Sequence, residues 1–211
     1  MKASIEFNAA LAQCPLIAIL RGITPEEAEV IGDTLWQCGL RIIEVPLNSP
    51  RPLESIERIA RRLEGRAVVG AGTVTSVAQI EAVAAAGGSL IVSPHLDLRI
   101  VQACAAQRIL CVPGVSTPSE CFLAIEAGVH ALKLFPAEAS SPAALKSLRA
   151  VLPRDTRVLP VGGITPETMA TWLAAGADGF GIGSALFRPG LTAAEVATRA
   201  DAFVSHLKAH P

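Results

Sequence analysis

The sequence predicts an α/β fold, a (β/α)8 TIM barrel forming one domain over residues 1–211, and three observations predict it. Short apolar runs recur at residues 16–20, 42–46, 68–71, 90–93, 110–113, 131–135, 158–161 and 179–183. Their starts lie about 20 to 27 residues apart, which is room for a strand, a loop, a helix of about three turns and a second loop. The segments between the runs are alanine-rich with helical periodicity. Third, Gly22-Ile23-Thr24-Pro25-Glu26 is echoed by Gly163-Ile164-Thr165-Pro166-Glu167, the self-similarity of a repeated strand–helix unit. A doubly wound open sheet fits less well, because the glycine-rich loops come late and none reads G-x-G-x-x-G after the first run.

In chain order, residues 1–15 read as a leading helix across the barrel's bottom, 16–190 as the barrel and 191–211 as a closing helix. Helix starts carry their own chemistry. Thr24-Pro25-Glu26-Glu27 places Thr at the N-cap, Pro at the first helical position and Glu at the third. Thr117-Pro118-Ser119-Glu120 repeats that pattern, and Ser141-Pro142 and Thr165-Pro166-Glu167 are partial versions. Gly39, Gly87, Gly128 and Gly176 each close a helical segment and precede a strand, as a C′ glycine would.

Composition excludes several classes. Hydrophobic residues make up 51% and charged residues 18%, which suits strands covered on both faces and excludes a disordered chain. Net charge is −1 with no long basic stretch, so no nucleic-acid partner is expected. No run approaches the ~20 apolar residues of a membrane helix, and residues 1–7 do not read as a secretory signal; the expected location is cytoplasmic. The five cysteines show no C-x-x-C spacing and read as reduced core residues. Neither a Cys/His pair nor an Asp/Glu/His group has ligand spacing, so no metal is expected.

Barrel chemistry sits where strands end and βα loops begin. Arg21 ends the first run, Glu44 lies in the second and Thr73 follows the third. Ser93 and His95 follow the fourth, and His95 reads as a loop residue without a catalytic role. Lys133 lies in the sixth run, in Ala131-Leu132-Lys133-Leu134-Phe135-Pro136. A lysine between leucines either snorkels to the surface or is held where its proton is easily lost. Glu44, among Ile and Val, poses the same question. The two form a structural ion pair, or an amine nucleophile beside a proton shuttle. Lys2, Lys146 and Lys208 are poor competitors, being terminal or on a polar helix face.

Val161-Gly162-Gly163-Ile164 and Gly181-Ile182-Gly183-Ser184 follow the seventh and eighth runs, where barrels often bind phosphate; glycines there also serve tight turns. Arg21 is either a clamp for a carboxylate or a surface arginine beside a turn. Thr73 either donates to the same group or caps the next helix.

Taken together, Ile19-Leu20-Arg21, Glu44-Val45-Pro46-Leu47-Asn48-Ser49-Pro50, Gly70-Ala71-Gly72-Thr73-Val74, Lys133-Leu134-Phe135-Pro136, Gly162-Gly163 and Gly183-Ser184 resemble the motifs of the family of 2-keto-3-deoxy-6-phosphogluconate and 2-keto-3-deoxy-6-phosphogalactonate aldolases. The resemblance runs from Leu16 to about Ser205. It implies a homotrimeric class I aldolase that needs no cofactor. Its partners are a phosphorylated keto-deoxy sugar acid, pyruvate and D-glyceraldehyde 3-phosphate. Lys133 takes the Schiff-base position and Glu44 the acid/base position; Arg21 and Thr73 bind substrate; Gly162, Gly163, Gly183 and Ser184 fall in the phosphate site. Val161 before the glycine pair, and Asn48 two residues after Pro46, look like the galactonate branch, whose substrate is the C4 epimer of the gluconate one. A gluconate or dual specificity is the alternative reading. A phosphate-binding barrel isomerase using Glu44 as a base, and a non-catalytic binding protein, are the rivals from other classes.

Overall fold

The computed structural model describes residues 2–209, so Met1 and the last two residues of the expected closing helix lie outside the described residues. A helix α1 (Lys2–Gln13) precedes strand β1 (Leu16–Ile19), and strands and helices then alternate. They are α2 (Pro25–Gln37), β2 (Ile42–Pro46), α3 (Pro52–Arg62), β3 (Val68–Gly72), α4 (Val77–Ala85), β4 (Leu90–Val92), α5 (Leu98–Gln107) and β5 (Leu110–Val112). There follow β6 (Gly114–Val115), α6 (Pro118–Glu126), β7 (Leu132–Leu134), α7 (Pro142–Arg149), β8 (Val158–Pro160), α8 (Pro166–Ala174), β9 (Phe180–Ile182) and α9 (Ala193–Ala209).

All pairings are parallel, as apolar runs joined by helices require. The order is β5-β4-β3-β2-β1-β9 in one curled sheet and β6-β7-β8 in a second. This departs from the eight continuous strands the sequence predicts. The run at 110–113 splits into β5 and β6 at Pro113, whose ring leaves no N–H for a ladder bond. The sheets touch at both seams. Val161 bridges Gly181, and Lys133 N–H donates to Pro113 C=O at 2.9 Å.

The expected caps form. In α2, Glu27 accepts from the Thr24 N–H at 3.1 Å, and in α6 Glu120 accepts from the Thr117 N–H at 2.8 Å. Each such cap is worth about 1 kcal/mol. Ser76 with Gln79 and Thr192 with Glu195 add caps that the proline-based reading passes over. Gly39, Gly87, Gly128 and Gly176 all have positive φ.

Two apolar cores follow from the alternation of strand side chains. One lies between the sheets and the helices and holds Ile43, Val45, Ile56 and Leu132. The other fills the interior where strands begin. There Phe7, Ala10 and Leu11 of α1 pack on Ile42, Val68, Leu90, Leu110 and Leu159. The leading helix therefore plugs one end, and polar side chains on the inner face of the sheets are left to the other.

Candidate active site

Two charged side chains are buried inside the sheet, Glu44 at 2% exposure and Lys133 at 6%. Glu44 sits mid-β2, paired in register with Ile19 and Gly70; Lys133 sits mid-β7, beside Leu159 of β8. They line one narrow cavity with Ile17, Ile19, Val92, Val112, Leu159, Val161 and Gly181. Larger concavities lie elsewhere, for example against Gln13, Arg41 and Glu64 at the α1 end, far from these two groups in chemistry and in kind.

The pair is not a salt bridge. Among the described residues no Lys133–Glu44 contact falls within 4.0 Å, and Oε2 of Glu44 has no hydrogen-bond partner. The structural ion pair is thereby corrected; both groups are held apart in an apolar cavity. Burial pushes the Glu44 carboxyl from 4.5 up to about 7, opposed by the charges of Lys133 and Arg21. Burial also lowers the Lys133 ammonium, opposed by Glu44 and assisted by Arg21. Both shifts favour the neutral forms, a nucleophilic amine beside a carboxyl that exchanges its proton near neutrality. Lys133 Nζ lies over the Phe135 ring, 4.5 Å from its centroid.

At the strand ends, Arg21 is exposed yet tied down. It donates to Asn48 Oδ1 at 2.6 Å and to Thr73 Oγ1 at 3.3 Å. The Gly22 N–H donates to Ser49 Oγ at 2.9 Å. The loop after β2 thus holds the loop after β1 at two successive residues. Thr73 does not cap the next helix, whose N-cap is Ser76. It adopts φ +57, a left-handed backbone that costs a β-branched residue about 1–3 kcal/mol. His95 accepts from Ser93 Oγ through its carbonyl at 2.8 Å, which makes it part of the loop's framework.

The glycine loops open on the same side. Val161 packs on Gly181, where a Cβ would meet Val161 Cγ2 at 2.7 Å. Gly162 and Gly163 have positive φ, and the Glu138 side chain lies across them: a Cβ on Gly162 would meet Glu138 Oε2 at 2.0 Å. Glu138 is a neighbour of these glycines that sequence spacing does not reveal. Gly183 has open space around it, and the Ser184 carbonyl accepts from Arg188 Nε at 2.9 Å. The structure therefore brings Arg21, Glu44, Thr73, Lys133 and Val161 to one end, with the loops at Gly162, Gly163, Gly183 and Ser184 on its rim.

The family model for KDPG and KHG aldolase matches residues 7–206. A protein of Escherichia coli (strain K12) named 2-dehydro-3-deoxy-6-phosphogalactonate aldolase is 44% identical over 190 residues, covering 90% of this chain and 93% of that protein. One of Rhizobium meliloti (strain 1021), named a probable 2-dehydro-3-deoxy-6-phosphogalactonate aldolase, is 43% identical over 186 residues, 88% of each chain. A solved structure described as native KDPGal superposes with a TM-score of 0.92 at 42% identity, covering 94% of this chain and 96% of that one.

Proposed function

The chain belongs to the KDPG and KHG aldolase family, and from that membership we propose that it cleaves 2-dehydro-3-deoxy-6-phospho-D-galactonate reversibly to pyruvate and D-glyceraldehyde 3-phosphate through a Schiff base on Lys133. One observation carries the reading: a buried lysine with a lowered pKa shares an apolar cavity with a carboxyl poised near pH 7. The galactonate substrate is favoured by the two relatives so named.

Neutral Lys133 attacks the C2 ketone, and loss of water gives an iminium. Glu44 takes the C4 hydroxyl proton, the C3–C4 bond breaks, and its electron pair moves into the C2–C3 enamine. The aldehyde leaves as D-glyceraldehyde 3-phosphate. Glu44 returns the proton to C3, and hydrolysis of the iminium frees pyruvate. Arg21, fixed by Asn48 and Thr73, binds the substrate carboxylate. Backbone N–H groups at Gly162, Gly163, Gly183 and Ser184 bind the phosphate, with Val161 facing C4.

The architecture proposed with this function is one closed (β/α)8 domain over 1–211. The Val161–Gly181 bridge and the Lys133–Pro113 hydrogen bond support closure at the two seams. No described helix is long and apolar enough to cross a membrane. Five free cysteines fit a reducing cytoplasm, and exposed Leu53, Val77, Leu98, Phe122 and Leu123 on successive helices fit a trimer.

Borohydride reduction in the presence of pyruvate tests the chemistry. A fixed mass is expected on the peptide carrying Lys133 and none in Lys133→Ala; full labelling of that variant sinks the assignment. Pyruvate release from the two C4 epimers, compared side by side, tests the substrate.

A further inference from the structure

We propose that the ring of Phe135 is a further catalytic group of this site, whose face carries the positive charge of the Lys133 nitrogen first as the ammonium and then as the substrate iminium. The proposal rests on the Schiff-base reading above and adds a partner that this reading does not contain. Extended chain alternates its side chains, so residues 133 and 135 share a face. The Phe135 N–H continues the ladder past β7 by donating to Val115 C=O at 3.0 Å, which keeps that alternation intact. The result is a ring centroid 4.5 Å from Nζ, inside the roughly 6 Å range of a cation–π contact.

What surrounds the nitrogen makes the ring matter. Among the described residues Nζ has no carboxylate within 4.0 Å. The charged groups that face it are Glu44 from β2 and Arg21 from the end of β1; the walls are aliphatic, with Val92, Val112 and Leu159. Water is largely excluded, so little else solvates a cation there. The negative ring face takes that part, and it does so selectively. It favours the ammonium over the amine and the iminium over the enamine, because only the charged member of each pair interacts with the quadrupole. In iminium formation from the neutral amine the N–C2 bond forms, the C2 oxygen leaves as water, one proton is taken up and a positive charge appears on nitrogen. The ring makes no bond and moves no proton. Its two effects are to limit how far burial lowers the lysine pKa and to raise the fraction of enzyme present as pyruvate iminium.

The test uses the full-length enzyme in two forms. Phe135→Leu removes the ring. Replacement of Phe135 by mono-, di- and pentafluorophenylalanine keeps nearly the same shape while draining the ring face of negative charge. Borohydride trapping with pyruvate is followed against pH. The acidic limb is expected to move down by about half to one pH unit in Phe135→Leu, and stepwise with fluorination. The trapped fraction at fixed pyruvate should fall severalfold, and Phe135→Tyr should restore both. Superimposable profiles across the series, in enzyme that still labels on Lys133, overturn the role of the ring alone. No label on Lys133 in the unaltered enzyme overturns the Schiff-base reading and this proposal with it.

Discussion

A Cβ on Gly72 would stand 1.7 Å from Oε2 of Glu44. Strand β3 therefore leaves a gap beside β2, and the Glu44 carboxylate occupies it. Glycine at this position is a condition of where the carboxylate points. Gly72→Ala should push Glu44 out of its place. A misplacement of ~1 Å costs about 100-fold in rate, and the added methyl should cost about 1–3 kcal/mol in stability. Turnover and a urea midpoint check both. Parent-like turnover in folded Gly72→Ala would remove the carboxylate's position from the mechanism.

Glu44 also makes the fold sensitive to pH. Its carboxyl is raised from 4.5 to about 7 in the native state, chiefly by burial. Between those values the native protein holds the proton that the unfolded chain has lost, so stability falls as pH rises through this window. The shift corresponds to about 3 kcal/mol. Lys133, lowered chiefly by burial, acts in the opposite sense, so the comparison of parent with Glu44→Gln is what isolates the carboxyl. Glu44→Gln should be flat from about pH 5 to 7.5 and more stable than the parent at the upper end. Its turnover should drop by about 10²–10⁴-fold while the borohydride adduct still forms. Equal slopes in parent and variant would exclude Glu44 as the source.

The arginine clamp predicts a different kinetic signature. Asn48 Oδ1 accepts from Arg21 at 2.6 Å, and Thr73 Oγ1 at 3.3 Å completes the cradle. A hydrogen bond to a charged group is worth about 1.5–3 kcal/mol. Asn48→Ala should raise KM for the keto acid about tenfold or more with a smaller change in kcat, because Arg21 loses its aim and the reacting groups do not. Thr73→Gly should raise KM as well, yet leave the protein at least as stable, since glycine accepts φ +57 without strain. An unchanged KM in Asn48→Ala would return Arg21 to the surface.

What the sequence made legible follows the range of each interaction. Lys133 and Glu44 stand out because a charge in a short apolar run is costly wherever that run packs. Helix starts at Thr24 and Thr117 are local chemistry spanning four residues, and they fold as read. The Asn48–Arg21 contact joins residues 27 apart, and the Gly72–Glu44 fit depends on the register of β2 on β3. No pattern in the chain encodes either. Phe135 was within reach, since position i+2 from a buried lysine on a strand shares its face. It reads as core because aromatic residues usually are. The break at Pro113 also had a local cause, a missing N–H, but its consequence depends on which neighbour that ladder position would meet.

Epimer choice should rest on Val161. Its side chain packs on Gly181 and lines the cavity that Glu44 and Lys133 share. Val→Thr keeps the shape and exchanges a methyl for a hydroxyl. Apart from Glu44 and Lys133 the cavity walls are aliphatic, and burying that hydroxyl unpaired among them costs about 1–3 kcal/mol. A C4 hydroxyl of the gluconate configuration, if it points toward residue 161, supplies the partner; the galactonate configuration does not. Val161→Thr should therefore shift the ratio of kcat/KM toward the gluconate epimer by about 10- to 100-fold, with a modest loss of stability in the free enzyme. Pyruvate release from both epimers, measured in parent and variant, decides it. An unchanged ratio would assign the discrimination to another residue and leave Val161 as a packing contact against Gly181.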